Sequence, residues 1–176
     1  MNIEQKKKEI LFTREDLQRR VRELGLQVTS DYKGKKLMVV SLLKGSFIFT
    51  SDLVREIDAP VKIEFMATAS YGHSEESSGN VNILYNISEN IEGYDILVVD
   101  DIADTGLTMN FVLNHLKNKN PKSIKCCVLL DKPSRRKIEL EADYVGFTIP
   151  DKFIVGYGLN YGDYYRHIPY VFAFVD

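Results

Sequence analysis

Three aspartates fall within five residues at Asp100, Asp101 and Asp104, and Thr105-Gly106-Leu107-Thr108 follows at once. Crowded carboxylates repel one another, so such a cluster costs stability unless a cation or sugar hydroxyls occupy it. The next residues set the opposite condition. Two hydroxyl side chains and a glycine stand where a helix should begin, and the free N–H groups and dipole there favour an anion, most often a phosphate. One ligand satisfies both halves if it carries hydroxyls or Mg²⁺ at one end and a phosphate at the other. A sugar phosphate fits. A lone Asp before a helix more often simply caps it; the whole string from Val98 to Thr108 is what favours a ligand.

The surrounding pattern says what must hold this string. Ile96-Leu97-Val98-Val99 is a buried strand expected to end abruptly at Asp100-Asp101, and Leu107 to Leu116 carries a helical face. Upstream, Thr13-Arg14-Glu15-Asp16 opens a helix with a capping-box spacing, Leu17, Val21 and Leu24 supply its apolar stripe, and Gly25 weakens its end. Leu37 to Leu43 reads as a buried strand, Phe47 to Ile57 as a helix lying on the sheet, and Val61 to Met66 as a strand. The stretch from Tyr71 to Asn80 has no apolar face and reads as a mobile loop before a short strand, Val81 to Tyr85. Ile124 to Leu130 and Tyr144 to Ile149 are further strands. Strands alternating with helices predict an α/β fold with a mostly parallel sheet, whose ligands bind beyond the carboxyl ends of the strands. The C-terminal segment, rich in Tyr, Phe and Gly, reads as a cover over one end of that sheet.

Composition excludes several alternatives. Of 176 residues, 44% are apolar and 27% charged, as expected of one folded domain rather than a disordered chain. Net charge is −2, which removes the electrostatic case for a dedicated nucleic-acid binder. No apolar leader or membrane-length run appears, so a cytoplasmic location is expected. Cys126 and Cys127 are neighbours that a strand would point to opposite faces, which leaves no disulfide framework. The glycines at 156, 158 and 162 resemble a dinucleotide fingerprint but lack its spacing and its helix.

The string from Val98 to Thr108 (apolar strand, two acids, two small or apolar residues, Asp-Thr-Gly-x-Thr) resembles the phosphoribosyl-diphosphate-binding signature of the type I phosphoribosyltransferases. Ser41-Leu42-Leu43-Lys44-Gly45-Ser46 is similar to the Leu-Lys-Gly turn of their 6-oxopurine members. Ser70-Tyr71 is similar to their lid, and Leu130 to Pro133 and Gly146 to Tyr157 to their base-binding strands. These segments run in family order from about Leu37 to Arg166. The resemblance implies one phosphoribosyltransferase domain over residues 1–176: a mostly parallel central sheet flanked by helices, with a small hood over the C-terminal strand ends. It also implies transfer of the 5-phosphoribosyl group from phosphoribosyl diphosphate to N9 of hypoxanthine and guanine, with Mg²⁺ as cofactor.

Site roles follow from the same resemblance. Asp100 and Asp101 hold the ribose hydroxyls and organise the metal, Thr105, Gly106, Leu107 and Thr108 cradle the 5′-phosphate, and Asp104 is the general base. Lys44, Gly45, Ser70, Tyr71 and Arg166 meet pyrophosphate, and the Leu43–Lys44 peptide can be cis. Lys132 donates to the purine O6, Phe153 stacks on the ring and the Ile154 backbone meets its edge. Two positions depart from the family pattern. Asp100 stands where Glu is usual, and Asn160 where an Asp helps a second Mg²⁺ and the purine 2-position; Asn carries no charge, so weaker metal and guanine binding is expected there. A homodimer or homotetramer is expected, with Tyr85, Phe172 and Phe174 available for an interface. Two alternatives stay open: a relative preferring another base, such as xanthine-guanine, and a regulatory protein that keeps the site but binds nucleic acid.

Overall fold

The computed structural model describes residues 7–70 and 81–175, so the expected loop from Tyr71 to Asn80 lies outside the described residues. Strand β1 (Lys7–Phe12) is followed by α1 (Arg14–Asp31), β2 (Leu37–Leu43), α2 (Phe47–Arg55), β3 (Val61–Ser70) and β4 (Val81–Tyr85). Then come β5 (Asp95–Ala103), α3 (Leu107–Lys117), β6 (Ser123–Asp131), a single 3-10 turn at Pro133–Arg135, β7 (Tyr144–Thr148), β8 (Ile154–Val155) and β9 (Val171–Val175).

Six strands form the central sheet in the order β4-β3-β2-β5-β6-β7, parallel except for β4 at one edge. Strand residues alternate between two cores, as a period of two requires. Val39, Leu97, Val99, Cys127 and Leu129 meet Leu17, Val21, Leu24 and Val28 of α1 and Phe49 and Leu53 of α2. Met38, Val40, Ile96, Val98, Cys126 and Val128 face the other way, towards Met109, Val112 and Leu116 of α3. Burial on both faces explains why β2, β5 and β6 read as continuous apolar runs. It also separates the two cysteines, which are free and buried. No helix among the described residues is long and apolar enough to cross a membrane.

The hood is a second, antiparallel sheet in the order β1-β9-β8. Strand β1 went unanticipated, since Lys7 to Ile10 are exposed and show no buried face; backbone pairing with β9, not an apolar pattern, makes it a strand. Phe172 corrects the interface expectation. It is fully buried inside the hood, in edge contact with Phe174 at 5.3 Å between ring centres. Tyr85 stays half exposed on β4.

Two element boundaries also differ from expectation. Strand β5 does not stop at Asp100 but carries on through Asp101 to Ala103, because Asp100, Ile102 and Ala103 keep parallel partners in Val128, Leu130 and Asp131 of β6. Helix α1 starts as expected, with Thr13 Oγ1 accepting from the Asp16 amide at 3.2 Å and Asp16 Oδ2 accepting from the Thr13 amide at 3.0 Å. It then runs past Gly25 to Asp31. Gly25 is there for contact: a Cβ on it would lie 2.4 Å from Glu56 Cβ and 2.7 Å from the Glu56 carbonyl oxygen. Ala is the better helix former by about 1 kcal/mol, yet Gly25→Ala should destabilise the protein by about 1–3 kcal/mol through overpacking against α2. A lowered urea midpoint checks this; an unchanged or raised midpoint contradicts it.

Candidate active site

Parallel pairing sets Ser41 of β2 opposite Val99 of β5, so both strands deliver their following residues to the same end of the sheet. The turn after β2 thereby reaches the acids. A Cβ on Gly45 would fall 1.8 Å from Asp101 Oδ2, so only a glycine lets the backbone pass this close. The Leu43–Lys44 peptide is cis, and the Lys44 side chain is exposed. Beneath the turn, Ser41 Oγ lies 2.7 Å from Ser46 Oγ and 2.8 Å from Thr50 Oγ1, while Ser46 Oγ donates to the Leu42 carbonyl at 2.6 Å. All three hydroxyls are buried and so satisfy one another.

Asp100 and Asp101 keep limited solvent access but are surrounded mainly by protein. Burial pushes the Asp100 carboxyl well above the usual carboxylate range, and the Asp101 charge adds to the rise. Burial also raises Asp101, while hydrogen bonds from its neighbours and the Arg166 guanidinium oppose it. Each carboxylate accepts one backbone N–H, Asp100 Oδ1 from Asp101 at 2.9 Å and Asp101 Oδ1 from Ile102 at 2.8 Å. Among the described residues no set of three or more His, Cys, Asp or Glu side chains could hold a metal. The pair therefore suits a hard cation only if a bound ligand supplies most of the oxygens, which is how Mg²⁺ is usually held alongside phosphates.

Asp104, Thr105, Gly106 and Thr108 join Asp100 to Ala103 in lining a cavity of about 250 Å³. Gly106 has φ +85° and precedes α3, whose N-terminus lies at this end of the sheet, with the Leu107 N–H donating to Thr105 Oγ1 at 3.4 Å. A Cβ on Gly106 would come within 3.1 Å of Arg136 Cδ. Arg136 braces this loop from behind. Its Nη1 donates to the carbonyls of Ala103 at 3.0 Å and Asp104 at 2.7 Å, and its guanidinium pairs with Asp131.

The residues expected to meet the purine gather after β6 and at β8. Lys132 is only 6% exposed; its ammonium donates to the Lys152 carbonyl at 2.9 Å and lies 3.5 Å from Asp151. Phe153 follows directly, 61% exposed and edge-on to Tyr161 at 5.6 Å, and the buried Ile154 opens β8. Asp104 Oδ1 is buried and accepts no hydrogen bond, with the Arg135 Nε 3.3 Å away as its ionic partner.

The loop from Gly156 closes the other side. Gly158 packs on the Lys44–Gly45 turn so tightly that a Cβ would meet the Gly45 carbonyl oxygen at 2.0 Å, and Arg166 Nη1 donates to the Gly158 carbonyl at 2.6 Å. Tyr157, at φ +49°, donates its hydroxyl to Asp52 of α2. Asn160 does not turn its amide to this centre; it donates to the Gly162 carbonyl within its own loop. Ser70 ends β3 at the same end of the sheet, and Tyr71 lies outside the described residues. The sequence gives no role to Arg135 or Arg136, and none individually to Asp151 and Tyr157, which fall in the segment likened to the base-binding strands. Arg135 and Arg136 stand in the short, interrupted basic run from Lys132 to Lys137, which reads as base-site and surface charge, yet the Arg136 side chain is only 14% exposed.

The phosphoribosyl transferase domain family matches residues 9–162. The chain belongs to that family. A relative from Aquifex aeolicus named hypoxanthine-guanine phosphoribosyltransferase is 49% identical over 175 residues, which cover 99% of this chain and 98% of that protein. The crystal structure of a Bacillus anthracis hypoxanthine-guanine phosphoribosyltransferase, with a HEPES molecule in its active site, superposes with a TM-score of 0.92 at 46% identity, covering 97% of this chain and 100% of that one. A Staphylococcus aureus hypoxanthine phosphoribosyltransferase gives 0.92 at 45% identity, over 95% and 91%. The fold is thus that of the type I phosphoribosyltransferases, as the sequence led us to expect.

The raised carboxyls of this phosphoribosyltransferase bear on its stability. A group whose pKa is higher folded than unfolded binds more protons in the native state, so its contribution is present at low pH and is lost as pH rises through the folded value. Asp100 therefore weakens the ligand-free protein near neutral pH and not near pH 4. Asp100→Asn should raise Tm at neutral pH, with the gain vanishing near pH 4; a pH-independent change in Tm contradicts this assignment.

Proposed function

We infer that this enzyme of purine salvage transfers the 5-phosphoribosyl group from phosphoribosyl diphosphate to N9 of hypoxanthine and guanine, giving IMP or GMP and pyrophosphate. The nearly complete burial of the Lys132 ammonium, pinned by a carbonyl at the mouth of the base site, carries the choice of base. A fixed donor facing O6 accepts 6-oxopurines, and it would set adenine's amino group against a second donor.

The displacement develops positive charge on the ribose ring as pyrophosphate leaves, so the barrier is set by how charge is placed. Asp100 and Asp101 hold the ribose hydroxyls and put negative charge beneath the ring. The amides and hydroxyls from Thr105 to Thr108 anchor the 5′-phosphate at the start of α3. The Lys44–Gly45 turn and Arg166 receive the pyrophosphate, with Ser70 and Tyr71 closing over it to exclude water. As N9 bonds to the ribose, Asp104 takes the proton from N7. Phe153 stacks on the purine and the Ile154 backbone meets its edge. Asp100 and Asp101 are the residues that would hold Mg²⁺, which would supply positive charge to the leaving group. Asn160, without a carboxylate and with its amide given to Gly162, would leave a second metal a weaker hold and guanine less well served than hypoxanthine.

Core and hood act as one unit over residues 1–176, because the purine site is shared between β6 and β8. Exposed Ile63 and Phe65 on β3 and Leu84 and Tyr85 on β4 support a homodimer or homotetramer. The cytoplasm is the location this reading implies.

Nucleotide formation should be measured with phosphoribosyl diphosphate, Mg²⁺ and each base in turn. Turnover of hypoxanthine and guanine but not adenine or uracil is expected. Xanthine used above hypoxanthine would overturn the base assignment, and no turnover by protein that binds the sugar diphosphate would favour a regulatory relative. Asp104→Asn should lower kcat by about 10²–10⁴, the range for a lost general base; wild-type kcat removes Asp104 from the proton transfer.

A further inference from the structure

A chain of alternating charges crosses the base site, and the mechanism above leaves it unused. Arg135 Nε lies 3.3 Å from Asp104 Oδ1, and Arg135 Nη1 lies 3.7 Å from Asp151 Oδ2. Asp151 Oδ1 in turn lies 3.5 Å from Lys132 Nζ. Arg135 and Asp151 thus join Asp104 and Lys132 end to end.

The two joined groups face a shared demand. N7 and O6 of a 6-oxopurine are neighbours on one edge of the ring, so the acceptor of the N7 proton and the donor to O6 must keep a set separation. They come from different strands, Asp104 after β5 and Lys132 after β6. The backbone already ties those strand ends, with the Lys132 amide donating to the Ala103 carbonyl at 3.0 Å and Arg136 holding the Asp104 carbonyl. Neither bond fixes the carboxylate of Asp104 or the ammonium of Lys132. The Lys152 carbonyl holds the Lys132 ammonium at 2.9 Å, and the Asp104 carboxylate is tied to it through Arg135, whose planar guanidinium can serve Asp104 and Asp151 at once.

We propose that Arg135 and Asp151 form a positioning pair that sets the spacing between the N7 acceptor and the O6 donor, and so helps select 6-oxopurines. This rests on the reading that Asp104 and Lys132 meet the base. Both members are close to half exposed, with 45% and 52% of their side-chain surfaces open, and the pairs are longer than tight hydrogen bonds. Such pairs add little to folding stability. Their effect falls on the geometry of the site, and the variants should fold.

The test is a double-mutant cycle of Arg135→Gln and Asp151→Asn, with steady-state kinetics for each substrate. Each single change should raise KM for hypoxanthine by about fivefold, the upper end for an exposed ion pair. The double variant should be no worse than either single one, since one tie is being cut twice. KM for phosphoribosyl diphosphate and Tm should stay at wild-type values. Arg135→Lys keeps the charge but cannot bridge two acids, so it should not restore hypoxanthine KM. A wild-type KM in Arg135→Gln, additive losses, an equal rise for phosphoribosyl diphosphate or full rescue by Lys each overturns the proposal. The base panel and Asp104→Asn, run on the same preparation, show separately whether the underlying reading of the site holds.

Discussion

The register of β2 against β5 is the constraint on which the site depends. With Ser41 opposite Val99, the residues that follow each strand meet within a few ångströms, and Gly45 comes to lie against the carboxylate of Asp101. A slip of one residue would exchange the two faces of β2, turning Val39 towards α3 and Met38 towards α1 and α2. Burial on both sides makes that slip costly, so the two cores also hold the turn and the acids together. The continued pairing of β5 with β6 carries Asp100 and Asp101 out as part of a strand, with directions set by the sheet.

Placed there, the acids are poorly solvated and close to each other, which opposes folding and favours whatever cationic or hydroxyl-bearing group fills the gap. Stability and function pull against each other at this point, as they commonly do where a site is built from like charges. The surroundings are arranged to carry the strain. Three buried hydroxyls satisfy one another below the turn, Arg166 faces Asp101, and Arg136 fastens the loop of Asp104 from behind.

Much of this was legible in the sequence because it is local. The string from Val98 to Thr108 is contiguous, so its chemistry and its place between a strand and a helix could be read together. The Thr13–Asp16 cap was equally plain, being a spacing of three residues. Missed features were those that distant residues decide. Strand β1 has no apolar periodicity and exists through pairing with β9. Gly25 reads as a weak helix end until Glu56 is seen against it. Phe172 looks available for a partner until Tyr165, Tyr170 and Phe174 close round it. Arg135 looks like surface charge because nothing in the sequence says that Asp104 and Asp151 will flank it.

The hood has a consequence for the order in which the protein can assemble. Its middle strand, β9, holds β8 on one side and β1 on the other, and Lys7 is paired with Val175. Every strand of the central sheet, with the loop from Asp104 to Thr108, lies before residue 149. During synthesis the central sheet has all its pairing partners well before the hood, which must wait for residues 171–175 to leave the ribosome. Contacts of such long sequence separation form late. A nascent chain can therefore complete the loop from Asp104 to Thr108 before the hood that carries Phe153 and Ile154 is closed, and the hood is the last part of the molecule to take shape.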